Sequence, residues 1–164
     1  MKKFALFTLI IVALSACKKS KPADETPAAS STLTNAMSAN VNGAAFSATF
    51  FEGSKTSYYV SIKSKTASST PYSAIQIKLY PGEYGKAGTY PIKHSFNINP
   101  NECSAIYVDN SNTTFNSVNG TITVTQADTN KYGFTNFEAT FSFNTDTVSG
   151  NHISITNGSV VYHK

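Results

Sequence analysis

From Met37 to the C-terminus, apolar residues recur at every second position. Ile75, Ile77 and Leu79 are separated by Gln76 and Lys78, and Ile122 and Val124 lie among threonines. Phe137, Ala139, Phe141 and Phe143 alternate with Glu138, Thr140 and Ser142, and Tyr58, Val60, Ile62, Ile153 and Ile155 follow the same rule. A period of two puts one face of a β-strand on a core and the other in water. The pattern predicts strands near residues 38–42, 44–51, 57–64, 73–80, 104–108, 113–118, 120–125, 134–144 and 152–162, with Tyr90 to Lys93 as a short candidate addition. No segment reads as a long amphipathic helix.

Three Asn-Gly pairs punctuate these segments: Asn42-Gly43, Asn119-Gly120 and Asn157-Gly158. Each is a hairpin signal, because a tight I′ turn needs positive φ at both central residues. The third pair has an alternative, a bulge within one long terminal strand. Eight or nine short antiparallel strands predict an all-β domain built as a two-sheet sandwich. The alternative is a closed, lipocalin-like barrel. Phe141 and Phe143 are the first core residues expected, since buried aromatics remove the most surface from water.

The N-terminal segment has a different pattern. Lys2 and Lys3 precede the apolar run Phe4 to Val12, and Leu14-Ser15-Ala16-Cys17 closes it. The run is too short to span a bilayer, which takes about 20 apolar residues. A positive start, an apolar stretch and small residues before the cut describe a signal peptide, and a cysteine just after the cut describes a lipoprotein. Residues 1–16 are therefore expected to leave, and Cys17 to become an acylated N-terminus that anchors the protein in a membrane. Only a thiol at that position can form the thioether. Residues 17–36, rich in Pro, Ala, Ser, Thr and charge, read as a disordered tether with little to bury. The nineteen residues from Lys18 to Ala36 span about 25 Å as such a coil. One β domain, residues 37–164, follows. Lys18 after the cysteine differs from the aspartate linked to inner-membrane retention, which points to the outer membrane and leaves its two faces open.

Charge narrows the partners. The chain has 13 lysines, no arginine and nine acids, and five of the lysines precede residue 22. The folded part is close to neutral, and without arginine it lacks the usual reader of phosphate and guanine. Nucleic acid is not an expected partner. Lys18, Lys19 and Lys21 suit anionic head groups beside the anchor.

Candidate chemistry is sparse. Cys103 at the start of an apolar strand reads as a small buried hydrophobe, and acylation of Cys17 would leave it without a disulfide partner. His94, His152 and His163 show no metal-ligand spacing with it. Gly82, Gly85 and Gly88 lack the phosphate-loop pattern. Asp109-Asn110-Ser111-Asn112 and Asp128-Thr129-Asn130 carry oxygen ligands suited to calcium, although turn closure explains them more simply. Tyr80, Tyr84 and Tyr90 flank one glycine-rich loop and could stack on sugars, with packing at strand ends as the plainer reading. Asp146-Thr147-Val148 resembles a short acceptor pattern for bacterial O-glycosylation at Thr147. No catalytic residue, metal or cofactor is assigned.

The segments Asn42-Gly43, Gly88-Thr89-Tyr90, Gly120 to Thr123, Thr140 to Phe143 and Ile155 to Gly158 together resemble a Bacteroidota-type lipoprotein domain family of unknown function. The resemblance covers most of the chain after the tether. Ala139 stands where the family usually has glycine, and Val160 where an aromatic is common. The family implies a β domain and no activity. The expected function is a lipid-anchored, non-catalytic envelope domain that binds a protein or a glycan. A carrier of small apolar ligands with a barrel cavity is the rival. An envelope hydrolase comes third and would need His94 or His152 against a carboxylate in a cleft.

Overall fold

The structure is a computed structural model that describes residues 34–80, 86–94 and 102–164. The expectations for residues 1–16, Cys17, most of the tether, Gly82, Tyr84 and Gly85 lie outside the described residues. Ten strands run in order: β1 Ala36–Val41, β2 Ala44–Ala48, β3 Phe50–Lys55, β4 Val60–Lys65, β5 Ala74–Leu79, β6 Gly88–Lys93, β7 Cys103–Val108, β8 Thr114–Asn130, β9 Gly133–Thr145 and β10 Ser154–His163. No helix occurs among the described residues.

All ten strands belong to one sheet, ordered β2-β1-β10-β9-β8-β6-β7-β5-β4-β3, with β7 also pairing directly with β8. Pairing is antiparallel except for a two-residue parallel contact of β6 with β7. The two ends of this order, β2 and β3, are separated in sequence by Thr49 alone. β2 pairs with β1 and β3 pairs with β4. One bent segment thus links both edges, and the sheet is nearly closed into a barrel.

The all-β expectation holds, and the architecture is the barrel alternative rather than the two-sheet sandwich. The reason lies in strand length and bending. Segments 113–118 and 120–125 are parts of one 17-residue strand, β8. Its pairing with β9 shifts register at Ser117/Asn119, Val124/Gln126 and Asp128/Thr129. Each extra residue bends and twists a strand locally, so β8 and β9 coil round the core where two flat sheets would have ended.

The Asn-Gly pairs divide three ways. Asn42 and Gly43 have φ of 48° and 83° and join β1 to β2 as a two-residue turn, as expected. Asn157, at φ 51°, lies within β10 where its register with β9 shifts, which is the bulge alternative. Asn119-Gly120 is not a turn but an interior point of β8. Gly120 pairs with Ile92 of β6 on one side and Phe143 of β9 on the other. A Cβ there would lie 2.7 Å from the Phe143 Cα, so the glycine permits close approach of β9 rather than a reversal.

Inward positions form one contiguous cluster that includes Met37, Phe46, Ile62, Ile77, Phe137 and Ile155. Phe134 and Phe137 stack with centroids 4.4 Å apart, and Phe141 and Phe143 are both buried as expected. Cys103 is fully buried among them. The core cluster is apolar, Ser61, Ser64, Ser104, Ser117 and Thr145 are buried as well, and the exposed outward positions are mostly Thr, Ser, Asn and Lys. Tyr58 departs from its predicted strand and is exposed in the β3–β4 turn, because β4 begins only at Val60.

Candidate functional site

The outward half of the alternation becomes a surface once strand neighbours are known. Ser47, Ser38, Ser159, Thr140, Thr123 and Thr89 are successive cross-strand neighbours on β2, β1, β10, β9, β8 and β6. At about 4.8 Å between strands, this hydroxyl row runs for roughly 24 Å. One position along, Thr121 pairs with Ser142 and adds a second tier. Neither tier contains a charge or an aromatic ring.

A depression of about 450 Å³ opens in the middle of this face. Its rim carries Thr121, Thr123, Thr140, Ser142, Asn157 and Ser159, around Gly158 and Phe141. Its position follows from the β10 bulge, which carries Asn157 out of the pleat beside a residue with no side chain. Thr89 and Thr123 join their hydroxyls at 3.1 Å. Among the described residues, the hydroxyls of Thr121, Thr140, Ser142 and Ser159 have no side-chain partner within the protein, so both their donor and acceptor capacity faces solvent. A second depression, about 300 Å³, lies beside the β1–β2 hairpin between Val41, Ala45, Phe46, Thr66, Ser73 and Tyr107.

A polar network borders the hydroxyl face on β8, β9 and β10. Asn136 Nδ2 and Gln126 Nε2 donate to Asp128 Oδ2 at 2.9 and 2.7 Å. These bonds, Asn136 first, hold the Asp128 carboxyl below its usual range. Asn136 Oδ1 lies 3.0 Å from His163 Nδ1. His163 Nε2 comes within 3.3 Å of Glu138 Oε1 but out of line for a hydrogen bond.

The residues singled out in the sequence are dispersed. Asp128 is within β8 rather than in a turn, whereas Asp109 closes a turn by accepting from the Ser111 and Thr113 amides at 2.9 and 2.8 Å. Tyr80 meets Ser104 at 3.2 Å and Tyr59 at 6.0 Å, while Tyr90 packs against the core cluster. Thr147 is exposed between β9 and β10. His94 Nε2 lies 3.8 Å from Asp146 Oδ2. That carboxylate already accepts the Asn116 amide at 2.9 Å, tying the β9–β10 loop to β8. The nearby hydroxyls are committed as well: Ser117 donates to the Lys93 carbonyl at 2.6 Å, and Thr145 donates to the Asp146 carbonyl at 2.9 Å. No group of three or more His, Cys, Asp or Glu able to hold a metal occurs among the described residues.

The hydroxyl row was not anticipated from the sequence. Its signal was the polar half of GTITVT, EATFSF and NGSVV, but only the strand order aligns those residues. Compared with models of protein families, with curated proteins and with solved structures, the chain finds no match.

Proposed function

We propose that the protein is a lipid-anchored component of the cell envelope, held by acylated Cys17 at the outer membrane. Its β domain is non-catalytic and binds a neutral, polyhydroxylated partner, a glycan, on the face formed by β6, β8, β9, β10, β1 and β2. The observation that carries this reading is the uncharged hydroxyl row with a depression at its centre. Serine and threonine both donate and accept, which suits the paired donor and acceptor character of sugar hydroxyls. Each such bond contributes about 1 kcal/mol net, so recognition must be spread over many of them. A surface of this length offers that. The contiguous apolar cluster inside the sheet favours a binding face over a carrier cavity, and the resemblance to a lipoprotein domain family supports the anchor.

The test is a glycan array probed with residues 32–164, followed by titration of any hit against Thr123→Val, Thr140→Val and Ser142→Ala. Capture of neutral glycans and at least tenfold weaker binding by the triple variant are expected. Absence of capture, or binding indifferent to the three changes, refutes the glycan reading. The anchor has its own test: labelled palmitate should enter the wild-type chain and not Cys17→Ser. A mass shift on the peptide containing Thr147 would report O-glycosylation there.

A further inference from the structure

The opposite side of the barrel has another character. In the strand order β4 lies five strands from β9, half-way round the nearly closed ten-stranded sheet, so their outer surfaces lie on opposite sides of it. On β4 and β5 the outward positions include Lys63, Lys65, Gln76 and Lys78. The Lys63 and Lys65 ammonium groups lie 5.3 and 5.2 Å from the Tyr72 ring centroid, and Lys78 lies 5.1 Å from that of Tyr59. Glu52 pairs with Lys65, whose side chain is only 12% exposed, so Lys63 and Lys78 are the lysines of this face left to meet an anion. Of the other described carboxylates, Asp109, Asp128, Glu138 and Asp146 lie on β8, β9 and the loops beside them, and Glu102 directly precedes β7, the neighbour of β5; Lys93 and Lys131 lie on β6 and in the β8–β9 turn.

The outer face of β3, β4 and β5 therefore holds three lysines against one carboxylate, Glu52. Phe50 is exposed on this face, and Tyr58 is exposed in the turn that joins β3 to β4. Phe50 pairs with Lys65 and shares its outward face. Lysines interleaved with exposed aromatic rings match an anionic bilayer surface, where cations meet head groups and amphipathic rings sit at the boundary. We infer that the outer face of β3, β4 and β5 docks on an anionic lipid surface, which turns the hydroxyl face away from the membrane. Charge complementarity selects the lipid, and the aromatic residues favour a bilayer over a soluble polyanion. Burial of the Lys78 ammonium also lowers its pKa, so an anionic head group would replace solvation that it has lost.

The inference requires neither the acyl anchor nor the glycan. All ten strands and the whole core cluster lie within residues 32–164, so that protein keeps its fold and omits Cys17 and the tether lysines. Co-sedimentation with phosphatidylglycerol-containing vesicles is compared with phosphatidylcholine vesicles at low and high salt, with a soluble acidic polysaccharide as a third arm. The expected result is salt-sensitive binding to the anionic vesicles only. Lys63→Gln and Lys78→Gln together should weaken it about 25-fold, at close to fivefold per lysine. Phe50→Ser with Tyr58→Ser, which leaves the charge unchanged, should weaken it too. Binding unchanged in the lysine variant, equal binding to both lipids, no binding to vesicles, or binding to the polysaccharide alone overturns the inference. Circular dichroism confirms that each variant is folded. A negative glycan array with positive vesicle binding refutes only the glycan reading.

Discussion

Gly158 is the most direct probe of how the barrel is packed. It faces inward on β10 opposite Phe141 of β9. A methyl group added there would fall on the Phe141 ring edge and 2.6 Å from the Phe141 carbonyl oxygen. The ring can yield only by moving within the cluster, where the Phe143 centroid lies 6.3 Å away. Overpacking of this kind costs about 1–3 kcal/mol. Alanine recovers part of that, because glycine inside a strand is about 0.5–1 kcal/mol worse than alanine. The net expectation for Gly158→Ala is a loss of about 1–2 kcal/mol, or roughly 5 °C in Tm for a domain of this size. Urea unfolding of residues 32–164 measures it. Phe141→Leu alone should be destabilising, but in the Gly158→Ala background it should cost less, because leucine vacates the volume the methyl needs. A double-mutant cycle therefore gives a favourable coupling of at least about 0.5 kcal/mol. Additive effects, or a Gly158→Ala protein as stable as wild type, would refute the placement of the ring.

Three other expectations test separate parts of the fold. Gly120→Ala should cost more than Gly158→Ala, about 3 kcal/mol or above, because its Cβ meets backbone of β9 that cannot rotate away; urea midpoints in one buffer compare the two. Phe137→Ala should lose about 3–5 kcal/mol through the cavity left beside Phe134, and a loss below 1 kcal/mol by chemical denaturation would place Phe137 outside the core. Tyr80 titrates above its ordinary value of 10.0, chiefly from burial and against the opposing Ser104 hydrogen bond. The folded state thus keeps a proton that the unfolded chain releases, and stability falls as pH rises from 10 toward the native value. Tyr80→Phe should flatten that part of the decline, so its deficit relative to wild type should shrink between pH 9 and pH 11; an unchanged difference contradicts the burial of Tyr80.

Much of the fold was legible because period-two alternation depends only on nearest neighbours along a strand. Ile75 to Leu79 and Phe137 to Phe143 declared their inward faces without reference to any partner. Asn42-Gly43 was readable for a similar reason, since a two-residue turn closes on itself. Asn119-Gly120 carries the same local signal and yet forms no turn. Its conformation is decided by β6 and β9, which pair with β8 on both sides and hold the pair extended. The candidate site was legible least of all. Ser47 and Thr89 are far apart in sequence, and nothing local says that they end one row of hydroxyls. His94 and Asp146 likewise meet only because the β9–β10 loop is tied to β8.

By itself, the sequence determined the strand content and the apolar face of each strand, both properties of contiguous residues. The tertiary structure decided closure, because the choice between sandwich and barrel depends on accumulated bending along β8 and β9 and on one segment, β2 to β3, reaching both edges of the sheet. It also decided the surfaces. Hydroxyls line up across β2 to β6, and Lys63, Lys65 and Lys78 gather on β4 and β5, because strand order, which no local pattern encodes, chooses each residue's neighbours.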